Sequence, residues 1–223
     1  MKGSSVEPIF RHGFLMIVVI FTLVPIFFTF MTSLKLFRDI ISGSLAFTPT
    51  LVNYQRLFNP GQSNFLRLTL NSLTVAAGTM IVVLVVASLA AYSLSRFRWR
   101  PLWSGLLLGT ILFVHMLPPV TFLGPFYLIA RSLNIYDTPL AVIMGHIILN
   151  LPTATWILLD FFADIPKELE EAAMVDGANR FQALTRVLVP VIQPGIAAAA
   201  ALAFIFSWRD FLFALSLTST PRG

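Results

Sequence analysis

PKELEEAAMVDGANRFQALTRVLVPVIQP, residues 166–194, lies between two apolar runs and holds four of the ten acidic residues, Glu168, Glu170, Glu171 and Asp176. Pro166 suits a first helical turn, where its missing N–H would have no partner anyway. Three glutamates follow, and acids near a helix N-terminus complement the macrodipole. Leu169, Ala172, Ala173 and Asp176 fall at the i, i+3, i+4, i+7 spacing of one helix face. Asp176-Gly177 reads as a stop, because glycine takes the left-handed conformation that ends helices. Asn179 can cap a second segment, 180–188, ahead of Pro190 and Pro194. The stretch therefore reads as helix, glycine break, helix on a membrane surface. Ala172 and Ala173 are small enough to let something large approach closely.

Composition supports the membrane setting. Hydrophobic residues make up 57% of the chain and charged residues 11%, against about 45–50% and about 25% in a soluble domain. There is no cysteine, which excludes disulfides, thiolate nucleophiles and cysteine–metal sites. The net charge is +5, but the basic residues are scattered at the ends of apolar runs, as in membrane proteins. Nucleic-acid binding fits this pattern poorly. The first apolar run is too long for the core of a cleavable signal peptide and has no small-residue cleavage site.

Read in order, the chain offers five apolar stretches, at about 13–34, 68–94, 102–130, 140–162 and 191–217, each near or above the ~20 residues a helix needs to cross a bilayer. They define a single transmembrane domain over residues 1–223, with the loop 163–190 between the last two. Residues 35–67 are mixed and turn-rich and read as an extramembrane loop with short surface helices. Asn71 and Ser72, near the start of the second stretch, read first as a helix-end cap or an interhelical hydrogen bond. Arg96, Arg98 and Arg100 crowd one short loop, which argues for its cytoplasmic placement. The third stretch carries no charge but contains Pro118 and Pro119. Two prolines remove two helical donors, so the helix must kink or break there. Broken membrane helices are tolerated against protein or a water-filled cavity, which makes this stretch a candidate pathway element or a static kink. The fifth stretch is alanine-rich over 197–201 and ends in the polar group Trp208-Arg209-Asp210.

Few residues carry chemistry. No G-x-x-x-x-G-K-[ST] or G-x-G-x-x-G motif is present, so the chain does not read as a nucleotide binder. His115 and His146 lie in apolar helices, where ionisable residues are functional candidates by default. Without further metal ligands at suitable spacing, they read as neutral, hydrogen-bonded packing groups. Asp160 falls at the loop end of the fourth stretch, with the acidic cluster. Arg209 and Asp210, as neighbours in one helix, would diverge by ~100° and need separate partners.

The loop resembles the EAA loop of ABC-importer permeases, which runs Glu-Ala-Ala, three residues, Gly, nine residues, Ile-x-Leu-Pro. Here Glu171-Ala172-Ala173 is followed by three residues, Gly177, nine residues and Val187-Leu188-Val189-Pro190. The longer form LEEAAMVDGA looks like the carbohydrate-uptake, maltose-type branch. Asn53-Tyr54 with Phe58 is similar to a patch that follows the first helix in sugar permeases, though simple loop packing explains it equally. Residues 207–215 resemble a sugar-permease pattern of Trp-Asn-Glu/Asp-Phe, with Arg209 standing where asparagine is usual.

The resemblance implies an all-α transmembrane protein of the prokaryotic inner membrane, with the type I ABC-importer permease helix bundle. A sixth span is expected beyond residue 223. The loop would be cytoplasmic and hold a coupling helix, with Glu171, Ala172, Ala173, Met174, Asp176 and Gly177 coupling to an ATPase. Asn150, Trp208, Asp210, Pro118 and Pro119 are the candidates for the substrate pathway. Implied partners are a second homologous permease, two ATPase subunits that hold ATP and Mg²⁺, an extracytoplasmic sugar-binding protein and membrane lipid. This chain itself would bind no cofactor or metal and would not be an enzyme. The competing reading is a membrane-embedded enzyme or ion-coupled carrier using His115, His146, Asp160 and Asp210.

Overall fold

Apolar sequence in lipid has to satisfy its backbone polar groups internally, and a helix does so within one segment. The computed structural model describes residues 6–218, and all regular structure among them is helical. Two compact units are formed, Met1–Leu66 and Arg67–Gly223.

The first unit holds α1 (Val6–Ser33), α2 (Phe37–Ile41) and α3 (Val52–Phe58). Large apolar side chains of α1 stay exposed all round, Phe21 at 82%, as suits a helix surrounded by lipid. The loop after it is tied to the end of α1. Asn53 Nδ2 donates to the carbonyls of Ser33 and Lys35 at 2.9 and 2.7 Å, and the Tyr54 and Ser33 hydroxyls lie 2.7 Å apart. Phe58 packs edge-on against Phe65. All three residues of the Asn53-Tyr54-Phe58 patch thus take part in packing this loop.

The second unit contains nearly all of α4 (Phe65–Arg96), then α5 (Pro101–Met116), a 3-10 turn (Pro119–Phe122), α6 (Leu123–Ser132) and α7 (Pro139–Ala163). The loop helix α8 (Lys167–Val175) follows, then α9 (Arg180–Ala183), a π-helical turn (Leu184–Leu188), α10 (Val189–Val191), α11 (Gln193–Arg209) and α12 (Leu212–Leu217). Pro139 at the first position and Thr138 as cap start α7. The broadest helix contact is α7 on α11. It is built on small residues: Gly195, Ala199, Ala203 and Ser207 recur every four positions and are all buried, the spacing that lets membrane helices approach closely. Of the alanine run, Ala199 is the buried member, while Ala197, Ala198 and Ala201 face outward. A Cβ at Gly195 would meet the Phe161 ring, and one at Gly145 the Phe213 ring.

Arg11–Ser33, Phe65–Arg96 and Pro139–Ala163 are long and apolar enough to cross a membrane. Two further candidates are bent pairs, Pro101–Met116 with Pro119–Ser132 at 104° and Arg180–Val191 with Gln193–Arg209 at 80°. The chain thus carries three to five candidate spans.

The third apolar stretch breaks at its two prolines, one of the two outcomes expected of them: α5 ends at Met116, and the chain turns sharply through Pro118 and Pro119. The fifth stretch needs a correction, because it is not continuous. α11 stops at Arg209, Asp210 is extended at φ −70°, ψ 133°, and α12 restarts at Leu212. Arg209 and Asp210 are therefore not neighbours within one helix. Asp210 Oδ2 accepts from the Phe213 amide at 2.9 Å and so satisfies an otherwise free donor of the new helix.

Candidate functional site

The loop helix α8 ends as its sequence demands. Gly177 has φ +92°, its amide donates to the Met174 carbonyl at 3.1 Å, and the Ala178 amide donates to the Ala173 carbonyl at 3.1 Å. This is the paired 6→1 and 5→2 bonding of a Schellman stop. Asn179 and Gln182 then form a reciprocal capping box. The π turn sits directly before Pro190, whose ring would otherwise meet the carbonyl four residues back.

The face that α8 turns inward differs from the one its apolar spacing suggests. Glu170 is buried at 4% exposure, Ala173 and Met174 are half-buried, and Leu169, Glu171, Ala172 and Asp176 are exposed. Glu170 is the anchor. Its Oε1 accepts from the Tyr92 hydroxyl at 2.5 Å, its Oε2 lies 3.2 Å from Arg96 Nε, and Arg180 Nη1 is 3.8 Å from Oε1. Arg96 Nη2 also donates to the Ile165 carbonyl at 2.9 Å. Burial of a carboxylate is tolerable because a cation and a hydroxyl both face it. One side chain thereby links the end of α4, the entry to α8 and the start of α9. Glu171, Ala172 and Gly177 are left on the outer side.

The other predicted residues gather, in part, around the break between α11 and α12. His146 is buried on α7. Its Nδ1 lies 2.7 Å from Ser207 Oγ and its Nε2 3.1 Å from Asp210 Oδ2. Asn150, one turn on, donates from Nδ2 to the His146 carbonyl at 2.8 Å, while its Oδ1 is buried with no hydrogen-bond partner. His146 and Asp210 line two cavities. One of about 520 Å³ also includes His115, Pro119, Asn150, Thr153 and Arg209. The other, about 410 Å³, takes in Asn71, Ser72, Ser207 and Trp208. Asn150, Pro119 and Asp210 thus share one cavity, and Trp208 lies on the other. Pro118 is exposed and belongs to neither lining.

The sequence shows Glu170 and Arg96 only as members of the acidic loop and the arginine loop, and it does not single out Tyr92 or the bond of Ser207 to His146. A glutamate in an acidic loop reads as solvated. The available signal was the i, i+4 spacing of Tyr92 and Arg96, which puts a hydroxyl and a guanidinium on one face of a helix end.

Comparison with known proteins decides the family. Residues 83–222 match the model of the binding-protein-dependent transport system inner membrane component. The chain belongs to this family. As a permease of this kind it is 36% identical over 208 residues to the trehalose transport system permease protein SugB of Mycobacterium tuberculosis (strain CDC 1551 / Oshkosh), covering 93% of this chain and 74% of that protein. It is also 36% identical to the sulfoquinovosyl glycerol transport system permease protein SmoH of Agrobacterium fabrum (strain C58 / ATCC 33970), over 89% of this chain and 70% of the relative. The inner membrane ABC transporter permease protein YcjP of Escherichia coli (strain K12) is 36% identical over 96% and 78%. The fold resembles a bacterial ABC transporter involved in the import of the acidic polysaccharide alginate, at TM-score 0.79 and 22% identity, over 100% of this chain and 79% of that one.

The permease is a multi-pass plasma-membrane protein. Of the four ionisable residues of the competing reading, His115, His146 and Asp210 line one cavity and Asp160 lies apart from them. Asp160 is exposed, roughly 21 Å further along α7 than His146 at 1.5 Å per residue. His115 reaches Thr153 at 3.4 Å and not His146.

Proposed function

We propose that this chain is one transmembrane permease subunit of an ATP-driven, binding-protein-dependent sugar importer. On this reading it crosses the membrane five times, counting each bent helix pair as one crossing, with α8 on the cytoplasmic side. It works with a second homologous permease, two ATPase subunits that hold ATP and Mg²⁺, and an extracytoplasmic sugar-binding protein. The relatives named for trehalose and sulfoquinovosyl glycerol transport support a saccharide cargo.

The observation that carries the coupling role is the division of α8 into a buried anchor and a bare outer face. Glu170 fixes the helix to α4 and α9, while Glu171 and Ala172 are exposed beside the Gly177 turn. A short helix held this way can sit in a groove of a soluble partner. Glu171 would meet a cation there, and Ala172 would let the backbones approach. Ala173, Met174 and Asp176 complete the coupling segment. ATPase closure would push α8, and the helices beyond it would rock to alternate the access of the pathway. Asn150, Asp210, Trp208 and the Pro118-Pro119 break are the pathway elements of this chain.

The test is purification with its partners, followed by ATPase assays with the binding protein and a panel of sugars. Sugar-stimulated hydrolysis is expected. A complex that assembles but responds to no sugar would overturn the reading.

A further inference from the structure

The cavities of about 520 and 410 Å³ meet at one place. On α7 the smaller is lined by Thr138, Pro139, Val142 and His146, and the larger by His146, Leu149, Asn150 and Thr153. They therefore follow one another along the helix, with His146 at the boundary. In the broken limb formed by α11 and α12, the residue common to both is Asp210. Among the described residues the two linings share His146 and Asp210 and no other. These two side chains are bonded to each other, Nε2 to Oδ2 at 3.1 Å. Ionisable residues inside membrane segments pair with one another and mark pathways. Here the pair stands where one cavity ends and the next begins.

The bond is also placed where it can part cleanly. A carboxylate only accepts, so His146 Nε2 donates to Asp210, and Nδ1 accepts from the Ser207 hydroxyl at 2.7 Å. Ser207 is buried within α11, whereas Asp210 stands beyond the end of that helix. Asp210 Oδ2 in turn accepts from the Phe213 amide of α12 at 2.9 Å. The imidazole thus goes with α7 and α11, and the carboxylate goes with α12. A swing of the backbone at 209–211 separates them while His146 keeps Ser207 and Asp210 keeps its amide. A few residues between two helices are the usual seat of such a hinge.

We propose that the His146–Asp210 bond is a gate between the two cavities. Closed, it keeps them apart; open, it joins them into one passage along α7. His146, at 2% exposure, acts by positioning Asp210 and not by touching cargo. The proposal rests on the reading of the chain as an alternating-access permease, and it names the two residues that close the passage.

The experiment uses the assembled transporter in membrane vesicles. The chain has no cysteine. Ser72→Cys on the smaller cavity and Thr153→Cys on the larger therefore each give this subunit one thiol. A charged, membrane-impermeant methanethiosulfonate is applied from the extracytoplasmic side, where α7 begins, and labelling of this subunit is timed. With the pair intact, Ser72→Cys should label and Thr153→Cys should stay protected. His146→Phe keeps the bulk of the ring and loses both bonds. It should speed labelling of Thr153→Cys roughly tenfold or more, the scale of one hydrogen bond to a charged group. Asp210→Ser leaves a hydroxyl for the Phe213 amide but is too short to reach His146, and it should act in the same direction. His146→Gln, whose amide can serve both partners, should restore protection. The gate is overturned if Thr153→Cys labels as fast with the pair intact as with it broken. It is equally overturned if labelling stays slow in His146→Phe and Asp210→Ser complexes that melt like wild type. Sugar-stimulated ATPase activity of the wild type separates the two levels. Stimulation without any effect of the pair on labelling sinks the gate and leaves the importer reading standing. Labelling that follows the pair without a response to any sugar keeps the gate and sinks that reading.

Discussion

Tyr92 and Glu170 stand 78 positions apart, and the tyrosine hydroxyl donates to the glutamate carboxylate at 2.5 Å inside the protein. With Arg96 at 3.2 Å, this bond fixes the loop helix to the end of α4. Removing one partner of a buried pair leaves the other charge uncompensated, at a cost of roughly 3–5 kcal/mol. Glu170→Ala should therefore lower the thermal unfolding temperature of the purified complex and release the ATPase subunit. Glu170→Gln should retain the Tyr92 bond and lose less. Equal melting of wild type and Glu170→Ala would show that the anchor contributes little.

Ala172→Trp and Glu171→Lys act on the outer face of α8, where substitutions normally change stability by within about 0.5 kcal/mol. Both variants should insert, fold and melt like wild type. Both should nevertheless lose ATPase co-purification or separate hydrolysis from vesicle uptake, through bulk in one case and reversed charge in the other. Wild-type uptake by both would make the loop a connector only.

Gly177→Val tests the stop of α8. The site has open space for a side chain, so the penalty comes from φ +92° alone. A residue with a Cβ there costs ~1–2 kcal/mol. Gly177→Val should weaken coupling, while Gly177→Asn, which tolerates left-handed backbone better, should come close to wild type. Indistinguishable uptake by the valine variant would contradict this.

Asp210 has two duties, as His146 partner and as cap of α12. Asp210→Ala should alter transport kinetics in vesicles and cost about 1 kcal/mol through the lost cap. Asp210→Asn keeps a side-chain oxygen for the Phe213 amide and should recover stability but not kinetics. Complex assembly should survive in both. Unchanged kinetics in both variants would remove Asp210 from the pathway.

Local rules make the loop legible in the sequence. Glycine, asparagine and proline set backbone geometry within a few residues, so the stop at Gly177, the cap at Asn179 and the break near Pro118 are written in single positions. The inward face of α8 was not legible, because apolar spacing points to Leu169, and burial of Glu170 depends on Tyr92 and Arg96 from another helix. Asp210 was recognised as a pathway candidate, yet its exit from helical geometry was hidden. Nothing in Trp208-Arg209-Asp210 breaks a helix. The break rests on the cap to Phe213 and the grip of His146, both of which require the fold.

The 80° elbow at Ile192 joins two arms of unequal kind. One arm lies with the loop helix and is short. The other, α11, runs 17 residues, about 25 Å at 1.5 Å per residue, and ends at Arg209. Such an arrangement is a crank. A tilt of about 10° at the elbow sweeps the far tip sideways by roughly 4 Å, more than a hydrogen-bond length, for an arm of that rise. A small stroke at one end is thereby magnified at the other, and the gain is set by how many residues separate Ile192 from the break at Asp210.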